Sequence, residues 1–239
     1  MEFTLLAAAA LGAFGSWAML WWEAKEGNAD RCAGSLWDTA LFAAVAGIFG
    51  GRIVTMLLNG VNPLTNPGDI IIVRSGVSTV GASLIAVAVF LWSFRRQPVV
   101  AADAIAAAAL AGLAGWQAGC LFRSGACLGS ATDLPWAWAQ PGSAVTRHPV
   151  ELYAALAYLT AAVALAWWKA YRRPIPGMPT AVAIAVAGAV RLVTEPLRPS
   201  LGGGPVWFYA AAIVAGGALA VAAARRGRAR PPAVETQAP

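Results

Sequence analysis

Charged residues are scarce in this chain. Asp, Glu, Lys and Arg make up 12% of the 239 residues, against roughly a quarter in an ordinary soluble domain. Hydrophobic residues make up 59%, which is more apolar surface than a soluble protein of this length can bury. The composition therefore excludes a soluble enzyme and a disordered chain, and it predicts a polytopic membrane protein.

Cysteine and histidine are also scarce, and this restricts the chemistry. Three cysteines imply no disulfide framework in a membrane chain. With a single histidine, His148, and no matching pair of cysteines, a metal site is not expected. Cys120 and Cys127 are open to a redox role, but we expect them to act as small apolar side chains.

Long apolar runs are what the sequence has in abundance. A helix needs about 20 mostly apolar residues to cross the hydrocarbon core of a bilayer. Seven stretches meet this requirement and predict an all-α protein with seven transmembrane helices: Phe3–Trp22, Leu41–Leu58, Val77–Phe94, Val100–Leu121, Val150–Ala170, Pro179–Leu197 and Pro205–Ala224. We expect one membrane domain over residues 1–224 and a basic, disordered tail over residues 225–239.

The basic residues predict the orientation. On the side of the C-terminus, 11 of the 17 basic residues flank the spans: Lys25, Arg31, Arg95, Arg96, Lys169, Arg172, Arg173, Arg225, Arg226, Arg228 and Arg230. The opposite side holds Arg74, Arg123, Arg147 and Arg198. The positive-inside rule therefore predicts a cytoplasmic C-terminus and an outer N-terminus. The basic tail is interpreted as a contact for anionic lipid, and no nucleic-acid partner is expected.

Two arginines, Arg52 and Arg191, fall inside predicted spans, where an Arg costs about 2.5–3.5 kcal/mol on insertion scales. Arg52 follows Gly50-Gly51 in the second span. Arg191 precedes Glu195 by four residues in the sixth span, so these two side chains are expected to project from one helix face. One interpretation is a structural ion pair. The other is an anion site, in which Arg191 binds a phosphate through its planar guanidinium and Glu195 orients Arg191.

The predicted outer loop, Phe122–Pro149, is rich in glycine and polar residues and ends at His148. An imidazole has an unperturbed pKa of about 6.5 and is suited to proton transfer near neutral pH. A structural role, in which His148 caps the following helix and contacts the loop, is the alternative. Glu151 falls in the first turn of the following helix, where the helix dipole favours an acidic residue without any function.

These segments, in this order, resemble the bacterial prolipoprotein diacylglyceryl transferases from about Trp17 to about Pro199. The stretch Arg147–Tyr153 is similar to the family's His-Pro-x-x-Leu-Tyr element, and Gly129–Trp136 to the end of its signature loop. Arg191–Pro199 is similar to its Arg-x-x-x-Glu-x-x-Arg element. Gly51-Arg52 gives weaker support.

The resemblance implies transfer of a diacylglyceryl group from phosphatidylglycerol to the lipobox cysteine of a preprolipoprotein, at the bacterial cytoplasmic membrane and without a cofactor. The seven spans and the orientation of the family agree with the charge distribution above. On this basis the expected catalytic residues are His148, Arg191 and Glu195, with His148 as a replacement base. The expected substrate-binding residues are Arg52, Arg123, Gly129, Arg147, Tyr153 and Arg198.

The chain also departs from the family's pattern. Val80-Gly81-Ala82 stands where the family has His-Gly-Gly, and Trp116-Gln117 stands where it has Gly-Arg. Cys120 replaces the usual Asn, and Ala126 the usual acid. Two alternatives therefore remain: a non-catalytic relative that binds lipid or lipoprotein, and a small-solute transporter, for which no inverted repeat is found.

Overall fold

The computed structural model describes residues 2–26, 35–71, 76–122, 127–140, 142–198 and 206–229, and these are mostly helical. The helices are α1 (Glu2–Lys25), α2 (Leu36–Leu58), α3 (Gly68–Ile71), α4 (Thr79–Ser93), α5 (Pro98–Ala118), α6 (Val150–Arg172), α7 (Met178–Thr194) and α8 (Val206–Ala229). Two 3-10 turns, Gly119–Phe122 and Glu195–Leu197, extend α5 and α7. Two short strands, β1 (Trp138–Ala139) and β2 (Thr146–Arg147), pair antiparallel in the loop before α6.

A helix occupies each of the seven predicted apolar stretches. Among the described residues, five segments are long and apolar enough to cross a membrane: Leu36–Leu58, Pro98–Phe122, Val150–Arg172, Met178–Leu197 and Val206–Arg228. The third predicted stretch forms only a shorter apolar helix, Val80–Ser93. The mostly helical membrane fold is thus confirmed, whereas seven crossings and their orientation stay predictions.

The C-terminal boundary differs in one respect from the expectation. Helix α8 continues to Ala229, so the first residues of the predicted 225–239 tail are helical. The remaining residues, 230–239, lie outside the described part of the chain. The last turn of α8 carries Arg226 and Arg228, which interact favourably with the helix dipole.

The chain divides into two compact units, of which the smaller is Arg31–Ala102. In this unit α2 and α4 pack through small residues: a Cβ on Gly51 would lie 2.9 Å from the backbone N of Ala82. Ser78 begins α4, since its side chain accepts a hydrogen bond from the N–H of Gly81 at 3.2 Å. Its own N–H donates to the carbonyl of Gly51 at 3.2 Å, which joins the two helices.

The larger unit consists of Met1–Asp30 and Asp103–Pro239. Its helices also approach closely where side chains are small, as is usual in membrane proteins. A Cβ on Gly15 would lie 2.7 Å from the carbonyl oxygen of Ala111, and one on Gly188 would lie 2.6 Å from that of Tyr209. Ser16 Oγ adds a hydrogen bond to the carbonyl of Ala108 at 3.0 Å. These contacts bring α1 against α5 and α7 against α8.

At one end of the larger unit, α6 is held by a buried ion pair. Lys169 Nζ lies 2.6 Å from Glu23 Oε1 and donates to the carbonyl of Ala104 at 3.0 Å. Beside it, Asp103 caps α7, accepting hydrogen bonds from the N–H of Gly177 at 2.6 Å and of Thr180 at 3.0 Å. Helix N-termini need such acceptors because their first N–H groups have no partner within the helix.

Candidate active site

At the other end of the same unit, three segments bring four charged side chains and one amide together. Glu151 lies in the first turn of α6, and Arg191 lies in the last turn of α7. The 3-10 turn after α7 contains Glu195 and is capped by Arg198. Gln117 is the penultimate residue of α5. The charge cluster is defined by these five residues, Gln117, Glu151, Arg191, Glu195 and Arg198.

Glu151 is the carboxylate that both arginines share. Arg198 Nη2 donates to Glu151 Oε1, and Arg191 Nη1 lies 3.8 Å from Glu151 Oε2. The two guanidinium groups therefore approach different oxygens of one carboxylate. Such an arrangement of two planar donors is the one that favours binding of an oxyanion.

Gln117 joins the carboxylate of Glu151 to Arg191, the more distant of its two arginines. With its amide turned to satisfy both neighbours, its nitrogen donates to Glu151 Oε2 and its oxygen accepts from Arg191 Nη1 at 3.0 Å. Gln117 is buried. It thus holds Arg191 by a neutral hydrogen bond while the ion pair between Arg191 and Glu151 remains long.

Arg191 also faces an aromatic ring. Its guanidinium carbon lies 5.8 Å from the ring centroid of Tyr209 in α8, within the range of a cation–π contact. Arg191 and Arg198 each remain about a quarter exposed, at 25% and 23%. Both cations are therefore held by the protein and still accessible from outside it.

Glu195 is paired with a different arginine. Its Oε2 lies 4.0 Å from Arg198 Nε, three residues further along the chain. Arg198 also donates its backbone N–H to the carbonyl of Glu195 at 3.0 Å, which fixes the geometry of the turn. The predicted partnership of Glu195 with Arg191 is wrong: within the described residues, Arg191 has its ion pair with Glu151.

Backbone hydrogen bonds fasten the loop before α6 to the charge cluster. The N–H of Gly129 donates to the carbonyl of His148 at 2.7 Å, and that of Ser130 donates to the carbonyl of Leu197 at 2.7 Å. A Cβ on Gly129 would collide with Val150 and with the carbonyl of Leu197. Only glycine therefore allows the loop to lie this close to the end of α7.

Comparison with known proteins gives this site a family. The family model for prolipoprotein diacylglyceryl transferase matches residues 4–225, which includes every residue of the charge cluster. The chain belongs to the prolipoprotein diacylglyceryl transferase family. With the apolar helices above, this makes it a multi-pass membrane protein.

Individual relatives agree with the family assignment. The chain is 30% identical over 181 residues to the phosphatidylglycerol–prolipoprotein diacylglyceryl transferase of Methylobacillus flagellatus, covering 73% of this chain and 67% of the relative. It is 28% identical over 165 residues to the enzyme of the same name from Bordetella bronchiseptica, covering 66% and 63%. For that of Legionella pneumophila the identity is 26% over 194 residues, covering 79% and 75%. The chain thus spans about two thirds of the length of these transferases.

The family's His-Pro-x-x-Leu-Tyr element forms an aromatic cluster at the start of α6. Trp136 Nε1 donates to Tyr153 Oη at 2.8 Å, and His148 Nδ1 lies 3.5 Å from the same oxygen. The backbone carbonyl of His148 accepts the N–H of Gly129, which is the predicted contact with the loop. The predicted capping of α6 by His148 is wrong, because Pro149 is the N-cap and makes no side-chain hydrogen bond there. The role of His148 as a base stays a prediction.

The remaining predicted binding residues fall in different places. Arg147 Nη1 donates to the carbonyl of Gly129 at 3.2 Å and so supports the loop. Arg52 belongs to the smaller unit, is buried, and donates to the carbonyls of Asp69 at 3.0 Å and Gly76 at 2.6 Å. These are the contacts of a structural anchor, and its role in phosphate binding stays a prediction. Arg123 lies outside the described residues.

The expectation that the two loop cysteines are apolar fillers is wrong. Cys120 and Cys127 form a disulfide bond. It ties the 3-10 turn at the end of α5 to the loop that contains Gly129. The separation of seven residues in the sequence does not by itself indicate pairing, because a disulfide requires two Cα atoms to come within about 7 Å of each other.

Two members of the charge cluster were missed from the sequence. Glu151 was interpreted only as an acidic residue in a first helical turn, and Gln117 only as a departure from the family's arginine. The signal that would have found both is the same. A polar side chain inside an apolar helix must have a partner. Glu151 and Gln117 are both polar residues in apolar helices, and both contact Arg191.

Proposed function

We propose that this chain transfers the diacylglyceryl group of phosphatidylglycerol to the lipobox cysteine of a preprolipoprotein. The reaction forms a thioether and releases glycerol phosphate. The family match and the names of the relatives support this function. The observation that carries it for this chain is that Arg191 and Arg198 converge on one carboxylate, Glu151, and remain partly exposed.

Phosphate binding is the first task of the site. The phosphate of a diester lipid is an anion with two free oxygens, as Glu151 is, and it competes for the same guanidinium nitrogens. We infer that the lipid phosphate takes over the contacts of Arg191 and Arg198 with Glu151. Gln117 and the ring of Tyr209 would keep Arg191 in place while this exchange occurs.

Group transfer is the second task. The cysteine thiol loses its proton, and the thiolate attacks the carbon of the diacylglycerol unit that is bonded to the phosphate oxygen. The carbon–oxygen bond breaks, its electron pair goes to the phosphate oxygen, and a carbon–sulfur bond forms. The leaving group is glycerol phosphate, which gains negative charge. Two arginines on the phosphate stabilise that charge as it develops.

The proton acceptor in this proposal is His148. It is the sole histidine, and it lies beside Tyr153 at the head of α6. A purified His148→Gln variant tests the role, because glutamine retains hydrogen bonding but does not titrate. We expect transfer to fall by about a hundredfold or more, the contribution typical of a positioned general base. If the variant retains the parent's activity, His148 is not the base.

The membrane arrangement is also part of the proposal. We infer seven spans in the cytoplasmic membrane of a bacterium, with the charge cluster toward the outer face. The 11-to-4 distribution of flanking basic residues supports this orientation. Reporter fusions after Pro98, Met178 and Pro239 are expected to lie inside. An outside signal at any of the three would contradict the seven-span arrangement.

The activity itself is tested with the purified protein in detergent or vesicles that contain phosphatidylglycerol and a lipobox peptide. We expect a thioether-linked diacylglyceryl peptide, detected by mass spectrometry, and none from a peptide with serine in place of the cysteine. Complementation of a strain depleted of its own transferase gives the matching test in cells. If the protein transfers nothing from phosphatidylglycerol under conditions in which a relative is active, it is a non-catalytic member of the family.

A further inference from the structure

Two buried polar atoms of the charge cluster have no hydrogen bond within the described part of the chain. They are Glu195 Oε2 and Arg198 Nε. Each is a strong hydrogen-bonding group, and an unsatisfied buried group of this kind is unfavourable. Glu195 is 7% exposed, so solvent reaches it poorly.

The two atoms do not satisfy each other. They lie 4.0 Å apart, which is beyond hydrogen-bond distance for a nitrogen donor and an oxygen acceptor. The turn keeps them at that spacing. The N–H of Glu195 donates to the carbonyl of Arg191, and the N–H of Arg198 donates to the carbonyl of Glu195 at 3.0 Å. Arg198 Nη2 is held separately by Glu151.

A donor and an acceptor at this spacing select for one kind of ligand atom. A hydroxyl oxygen between them can accept from Arg198 Nε and donate its proton to Glu195 Oε2. An ammonium group can only donate, and it would meet the guanidinium with a like charge. A phosphate oxygen can only accept, and it would meet the carboxylate with a like charge.

We propose that Glu195 and Arg198 recognise a hydroxyl group of the lipid head group. The inference rests on the proposed function, in which Arg198 also binds the lipid phosphate through Nη2. Because Nε and Nη2 belong to the same guanidinium, the hydroxyl must lie only a few bonds from the phosphate. The glycerol head group of phosphatidylglycerol carries hydroxyls at this separation. The pair therefore determines which anionic phospholipid serves as donor.

The test compares three donors that share the same acyl chains and the phosphodiester. They are phosphatidylglycerol, phosphatidylpropanol, which has no head-group hydroxyl, and phosphatidylethanolamine, which has an ammonium group. We measure kcat/KM with a lipobox peptide, and Kd for each lipid in nanodiscs. We expect phosphatidylglycerol to be favoured over phosphatidylpropanol by about ten- to a hundredfold, the range typical of hydrogen bonds to charged groups. Equal values for these two lipids would overturn the proposal and would leave a water molecule as the partner of the two atoms.

Variants then assign the preference to this pair. Glu195→Gln removes the charged acceptor, and Arg198→Lys removes the Nε donor while the cation remains. In either variant that folds, we expect the ratio of phosphatidylglycerol to phosphatidylpropanol to fall to within about threefold of unity. Asp133→Asn, at an exposed position of the loop before α6, is the matched control and should keep the parent's ratio. A variant of the pair that also keeps it would contradict the assignment.

The two proposals fail in different ways. If the parent transfers lipid but does not distinguish the donors, the proposed function stands and the hydroxyl site is wrong. If the parent transfers nothing, yet binds phosphatidylglycerol more tightly than phosphatidylpropanol in nanodiscs, the hydroxyl site stands and the proposed function is wrong. If the parent neither transfers lipid nor distinguishes the donors by Kd, both are wrong.

Discussion

Helix α6 carries an ion pair at each of its ends, and the two differ in kind. Glu151 and Lys169 are 18 residues apart, or about 27 Å along the helix at 1.5 Å per residue. At the end of α6, Lys169 meets one carboxylate, Glu23, at 2.6 Å, and the two side chains are 7% and 1% exposed. At its start, Glu151 is 17% exposed and is shared between two arginines, which are more exposed still.

The difference in burial and in number of partners indicates that the Lys169–Glu23 pair is structural and that the charge cluster around Glu151 is a candidate ligand site. A buried pair of one cation and one anion has nothing to exchange with, and breaking it leaves a charge in the protein interior. In the charge cluster, the two arginines share Glu151, Gln117 contacts Arg191 and Glu195 lies beside Arg198, yet both arginines are still partly exposed. On the proposed function, the same chemical groups thus give stability at one end of α6 and exchangeable binding at the other.

The largest effect is expected at the structural end. Lys169→Met removes the cation and leaves the buried carboxylate of Glu23 without its partner, which should lower the free energy of unfolding by about 3–5 kcal/mol. Thermal unfolding in detergent measures the change. Replacing both residues by Met should recover most of the stability, because no buried charge is then left. A Lys169→Met protein as stable as its parent would contradict the structural role of the pair.

The next effect is expected at Arg191. Arg191→Lys keeps the charge but loses the planar set of donors that approaches Glu151 and Gln117. We expect transfer of the diacylglyceryl group to fall by about a hundredfold, as for the loss of one preorganised donor. Stability should change little. Arg172→Lys, at an exposed position at the other end of α6, is the control. If Arg191→Lys binds phosphatidylglycerol as tightly as the parent, Arg191 does not bind the phosphate.

The smallest effect is expected at Glu151, where the substitution should strengthen lipid binding, whereas the two preceding substitutions lower stability or activity. On the proposed function, Glu151→Gln removes the carboxylate that competes with the lipid phosphate for the two arginines. We expect Kd for phosphatidylglycerol in nanodiscs to decrease about three- to tenfold, since a competing charged interaction is lost. Lipid binding that becomes weaker would mean that Glu151 mainly orients the arginines, and the contrast between the two ends of α6 would then be less sharp.

The helices were predictable, whereas most of the contacts between them were not. Runs of about 20 apolar residues identify helices because every backbone polar group must be satisfied inside a bilayer. The partner of Arg191 was mispredicted because spacing of four residues brings side chains together only within a continuous helix. Here α7 ends at Thr194, and Pro196 places Glu195 in a 3-10 turn. The true partner, Glu151, lies 40 residues earlier in the sequence.

The disulfide between Cys120 and Cys127 has a consequence for where this site can mature. Such bonds form and persist in oxidising compartments, such as the bacterial periplasm, and are rare in the cytosol. The bond adjoins the loop that holds Gly129, so forming it requires the oxidation of two thiols near the charge cluster. Under reducing conditions the helices can still form, but the loop loses its covalent attachment to the end of α5.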